Sequence, residues 1–120
     1  MPFWVMLMLM EVSLSLSGII PVFSLTGRLD ATSSPLLEER IKPLLDEQGQ
    51  KLVFDCDGLT YVSSAGLRVF LTCQRQLLAQ GGGVAFASLS KPVQDLFHLA
   101  GLHDLFTIER TPEAAAARLG

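Results

Sequence analysis

Between residues 12 and 17 apolar and polar positions alternate, Val12, Leu14 and Leu16 against Ser13, Ser15 and Ser17. This period of two predicts a half-buried strand. Gly18 marks a turn, and residues 20–25 read as a second strand, antiparallel to the first and ended by Thr26-Gly27. Pro21 argues against a central, fully paired position there.

The period then changes. Asp30, Thr32, Ser33 and Ser34, followed by Pro35, are helix-start chemistry. Leu36, Leu37, Ile41, Leu44 and Leu45 recur at helical spacing over residues 31–47, with Glu38, Glu39, Arg40 and Lys42 largely opposite. Pro43 predicts a kink and Gly49 a stop. Residues 51–55 form a short apolar run suited to a central strand covered on both faces. Asp57-Gly58 reads as a turn, and residues 59–62 as a short extended stretch.

From Ser64 to about Gln80 the pattern is helical, with Leu67, Phe70, Leu71, Leu77 and Leu78 as its core face. The glycines at 81–83 break it, and residues 84–87 predict another strand. Ser90 and Pro92 open a helix that buries Val93, Leu96, Phe97 and Leu99 and stops at Gly101. Residues 105–108 give a last strand. Thr111, Pro112 and Glu113 start a final helix that runs to about Leu119. The order is β β α β α β α β α. It predicts an α/β fold: a mostly parallel mixed sheet of about five strands with about four helices.

A chain of 120 residues makes one domain and buries enough surface to fold without disulfides or a metal. Its 49% apolar and 18% charged residues are those of a globular protein. A net charge of −3, with no basic cluster, argues against general nucleic-acid binding. Cys56 and Cys73 lack metal-site spacing and read as small buried or half-buried thiols, compatible with a reducing cytoplasm.

Residues 1–10 (MPFWVMLMLM) form an apolar N-terminal extension ahead of a domain at 11–120. The run is too short to span a membrane and has no basic n-region. Three readings stay open. It packs as an extra strand or arm on the domain or on a second copy, giving a homodimer; it anchors at a membrane surface; or translation begins at Met10.

Catalytic signatures are missing. Ser64 is not in a G-x-S-x-G elbow, and the glycines at 81–83 lack a Gly-Lys-Ser/Thr ending. His98, on a helix beside the core, and His103, in a loop, read as structural. The sequence is read as a non-enzyme without metal or cofactor.

The chemistry concentrates at Tyr61-Val62-Ser63-Ser64-Ala65-Gly66-Leu67-Arg68, where a strand gives way to a helix. On local sequence alone, both serines read as helix caps. Asp30, Asp55 and Asp57 follow predicted strands and are candidates to gather at one end of the sheet, where open α/β folds bind ligands. Helix capping is the simpler job for Asp30.

In this order the motifs resemble those of the STAS domain, the fold of bacterial anti-sigma factor antagonists. Thr26-Gly27-Arg28-Leu29-Asp30 is similar to the family's Gly-Glu-Leu-Asp signature, with Arg28 in place of the glutamate. Residues 53–67 resemble its strand, turn and Asp-Ser-Ser-Gly-Leu stretch, and Ala100-Gly101-Leu102 its later Gly-Leu. Ser63 replaces the aspartate before the switch serine, and Ala65 replaces the second hydroxyl residue.

The resemblance implies that Ser64, two residues before Gly66, accepts a phosphate, with Ser63 as second choice and as the helix cap. It implies a partner surface of Asp30, Ser63, Ser64, Ala65 and Gly66, Gly66 giving close access; Arg68, one helical turn beyond Ser64 on the same face, is read as pairing with the phosphate or contacting the partner, or as a solvated surface arginine. The implied partner is an anti-sigma factor that is also a serine kinase of the histidine-kinase-like ATPase type. The unmodified protein binds it, phosphorylation releases the protein, and a PP2C-type phosphatase resets it. The alternative is a STAS module without the switch, an accessory or scaffold subunit of a lipid-transport or signalling complex.

Overall fold

The computed structural model describes residues 10–120. Strand β1 (Glu11–Ser17) turns at Gly18 into β2 (Ile20–Leu29). Helix α1 (Ser34–Ile41) and a 3-10 turn (Lys42–Leu44) lead to β3 (Lys51–Val62). Then follow α2 (Ser64–Ala79), β4 (Gly83–Ala87), α3 (Lys91–Leu99), β5 (Thr107–Glu109) and α4 (Pro112–Leu119). The strands lie side by side in chain order, β1 antiparallel to β2 and all later neighbours parallel. Apart from Met10, which is buried, the expected apolar extension lies outside the described residues.

One face of the sheet carries the main core beneath α1, α2 and α3. Phe86 is its hub, with ring centroids 4.5 Å from Phe106, 4.9 Å from Phe70, 5.4 Å from Phe54 and 5.7 Å from Phe97. Tilted and edge-on rings at these separations are favourable beyond their buried area. The other face is covered by α4, whose Ala115 and Ala116 meet Val22, Val53, Ala85 and Ala87. Small side chains on both sides let that helix lie close to the sheet.

Several expectations shift, each for a local reason. Pro21 sits opposite Leu16 of β1, while the parallel ladder with β3 begins only at Val22. Its missing N–H is therefore not needed on both sides. Helix α1 gives way to the 3-10 turn at Lys42, because a proline at position 43 has no N–H for the helical ladder.

Asp57-Gly58 is not a turn: β3 runs through it as one strand of 12 residues. The ladder with β2 slips by bulges at Ser24/Thr26 and Gly27/Arg28. A Cβ on Gly58 would lie 2.6 Å from Thr26 Oγ1 and 3.1 Å from the Leu25 carbonyl oxygen. Glycine is there for close strand approach, not for reversal. Asp55 and Asp57 accordingly lie within β3 and do not follow it.

The buried arcs of two helices are also rotated from those expected. In α2 it is Gly66, Val69, Phe70, Cys73 and Leu77, while Leu78 is exposed. In α3 it is Val93 and Phe97, and Leu99 is exposed. An arc set by steps of three and four leaves the following leucine outside it. In β1, Leu14 and Leu16 are exposed, because the edge strand lies beyond the helices.

Candidate partner-binding site

Strands β2 and β3 run parallel to a common end, where Leu29 is opposite Val62. The ladder continues one step further, with the Ser63 N–H donating to the Leu29 carbonyl at 2.8 Å. Two strand-to-helix joins therefore lie side by side: Asp30 to Ser33 after β2, and Ser63 after β3.

The first join is a tight polar knot. Asp30 Oδ1 accepts from the Thr32 N–H at 3.0 Å and the Ser33 N–H at 3.1 Å. Ser33 Oγ donates to the Arg28 carbonyl at 2.7 Å and accepts from the Asp30 N–H at 2.9 Å. Ser34 Oγ donates to the Asp30 carbonyl at 2.6 Å. These bonds satisfy backbone groups of the turn that leads into α1. The Ser33 N–H above all, with the Thr32 N–H, the Ser33 hydroxyl and the Arg28 charge, holds the Asp30 carboxyl below the usual carboxylate range. Asp30 thus ties down the turn at residues 31–33, while the N-cap position of α1 itself is Ser33, which has no side-chain cap bond. No hydrogen bond joins Asp30 to Ser64 among the described residues.

The second join separates the two serines. Ser63 is the N-cap of α2, with extended backbone (φ −89°, ψ 176°), and its hydroxyl accepts from the Gly66 N–H at 3.4 Å. Ser64 is the first helical residue and is exposed, and its hydroxyl makes no hydrogen bond among the described residues. Arg68, one turn further, is also exposed and has no ion-pair partner among the described residues. It forms part of the wall of a groove of about 380 Å³ between α1 and α2, with Glu38, Lys42, Val69 and Thr72.

Gly66 does not give the access expected of it. It is buried, and a Cβ there would sit 2.7 Å from Leu29 Cγ and 2.9 Å from Val62 Cγ1. Its missing side chain lets α2 settle onto the ends of β2 and β3, which aims Ser64 outward. Asp30, Ser63 and Ala65 are half-buried beside it.

One pair at this end was not anticipated. The Arg28 guanidinium lies 4.3 Å from the centre of the Tyr61 ring, a cation–π contact between register partners of β2 and β3. The two residues are far apart in the sequence, and only the strand register, shifted by the Gly27/Arg28 bulge, makes them neighbours.

The STAS domain model matches residues 12–115. The chain belongs to the STAS domain family. Among its STAS relatives, BtrV of Bordetella bronchiseptica is 32% identical over 93 residues, covering 78% of this chain and 80% of the relative. The anti-sigma-B factor antagonist of Bacillus subtilis is 33% identical over 90 residues, covering 75% and 82%. The fold is also that of the anti-sigma factor antagonist SpoIIAA in its unphosphorylated form, with a TM-score of 0.75 at 22% identity over 90% of this chain and 95% of that one. The phosphorylated form of SpoIIAA from Bacillus superposes with a TM-score of 0.69 at 20% identity, over 92% and 100%. No helix among the described residues is long and apolar enough to cross a membrane.

Proposed function

We propose that this STAS domain is an anti-sigma factor antagonist switched by phosphorylation of Ser64. The observation that carries the reading is the division of labour at the start of α2. Ser63 caps the helix, which leaves the exposed Ser64 hydroxyl without a structural task. The names of the relatives support it, as does the existence of a phosphorylated form of SpoIIAA, whose fold this chain shares.

The unmodified domain binds a cytoplasmic anti-sigma factor that is also a serine kinase of the histidine-kinase-like ATPase type. A phosphate on Ser64 adds about −1.5 to −2 charges and three strong acceptors. The helix N-terminus, with its unpaired N–H groups and positive dipole end, accommodates that charge. Arg68 stands one turn along on the same face and is available to pair with it. The domain therefore keeps its fold, and the cost of the new charge and bulk falls on the interface. A PP2C-type phosphatase restores the binding form.

Binding of Ser64→Ala and Ser64→Asp to such a kinase tests the switch. The alanine variant is expected to bind as the unmodified protein does, and the aspartate variant at least tenfold more weakly. Equal affinities would sink it. Recovery of an ATP-driven lipid transporter in place of a kinase would favour the accessory role.

A further inference from the structure

Strand β1 is an edge that natural sheets normally protect. Among the described residues it pairs with β2 alone. It lacks the usual protections, since its sequence EVSLSLS holds no lysine and no proline and has one charge, at its first residue. Leu14 is 56% exposed, Leu16 67%, and Ile19 in the following turn 93%. Three large apolar side chains are thus exposed along one open edge.

The edge is also self-complementary. We infer that β1 pairs antiparallel with β1 of a second copy of this chain, about a two-fold axis at Leu14, making one continuous sheet. In that register Leu14 faces the partner's Leu14, and Val12 faces the partner's Leu16. Ser13 faces the partner's Ser15, and Glu11 faces the partner's Ser17. Every apolar residue meets an apolar one, every serine between them meets a serine, and the two glutamates stay at opposite ends. Same-face apolar pairs are the stabilising unit of such a ladder, and like charges opposite each other are avoided. A shift by one residue would set leucine against serine all along the strand.

The interface is isologous and closes at two copies. It is also separate from Ser64, which stands on the third strand's exit and not on the sheet edge.

Sedimentation velocity of the full chain is expected to show a dimer that dissociates on dilution. Leu14→Lys sets two like charges across the axis at a position already exposed in the protomer. It is expected to give a folded monomer that melts cooperatively, at the temperature of the parent diluted until it dissociates. Leu14→Cys is expected to form an interchain disulfide on oxidation, because directly opposed antiparallel residues have Cα atoms about 4.5–5.5 Å apart, within disulfide reach. Leu16→Cys is not, because the two copies of that position lie roughly 13 Å apart, four residues along the strand. The native thiols, Cys56 and Cys73, are buried and do not compete. A monomeric parent chain, a Leu14→Lys dimer, or equal cross-linking through both positions would each overturn the pairing.

Discussion

Replacing Gly66 by alanine tests how the switch residue is aimed. The added Cβ would meet Leu29 Cγ at 2.7 Å, Leu29 Cδ2 at 2.9 Å and Val62 Cγ1 at 2.9 Å. Leu29 is 0% exposed and Val62 1%, so neither has free space to retreat into. All three atoms belong to branched side chains, and Leu29 Cγ is itself a branch point. The cost of such overpacking is about 1–3 kcal/mol. Alanine recovers up to ~1 kcal/mol of helix propensity, and less than that in a first turn. The net expectation is a loss of about 1–2 kcal/mol, the difference of those two effects. For a domain of this size that lowers Tm by roughly 3–10 °C.

Urea titration followed by circular dichroism reads it, with the midpoint falling and the m-value unchanged. The start of α2 must move away from β2 and β3 to admit the methyl group, so partner affinity falls as well. A Gly66→Ala protein as stable as its parent, but unable to bind, would refute the reasoning. It would return Gly66 to the role of a surface that the partner approaches.

Three further outcomes follow from the same structure. The Asp30 carboxyl titrates below its ordinary 3.8 in the folded state. Its contribution is therefore fully present above that value and lost as pH falls through the lower folded pKa; Asp30→Ala should flatten the acid limb of a stability–pH profile and leave α1 less protected in hydrogen exchange. Burial pushes the Cys73 thiol up to about 12 and the Cys56 thiol further still, with the Asp55 charge adding to the latter. Neither should react with a thiol-exchange reagent at pH 8 until the domain unfolds, when both should; fast labelling of the native protein would contradict their placement. Arg68→Ala should leave stability within about 0.5 kcal/mol, as for other exposed positions, while changing the affinity difference that a phosphate on Ser64 makes; no change in that difference would remove Arg68 from the switch.

The order of elements was legible because the sheet and helices are built on simple periods, two in β1 and three to four in the helices. The helix starts were legible too: Ser63, Ser90 and Thr111 each accept a backbone N–H three residues on. The burial of particular leucines was less so. Leu78 and Leu99 satisfy a helical pattern as well as their buried neighbours do, and only the packing of neighbouring elements decides which arc faces inward. Gly58 and Gly66 were misread for a shared reason. A glycine used for close approach inside a fold looks, in sequence, like one used for a turn or for access. The Arg28–Tyr61 contact depends on a register set by two bulges, which no local pattern encodes. At the site, local sequence offers both serines as caps; the resemblance assigns the cap to Ser63, and the structure places it there with Ser64 exposed beside it.

The most direct measurement is site-resolved phosphorylation. The full chain is incubated with the anti-sigma factor kinase and ATP, and the peptide spanning Ser63 and Ser64 is fragmented in a mass spectrometer. The account predicts one phosphate, on Ser64, and none in the Ser64→Ala protein. A phosphate on Ser63, or an unmodified peptide after the kinase has bound the domain, would contradict it.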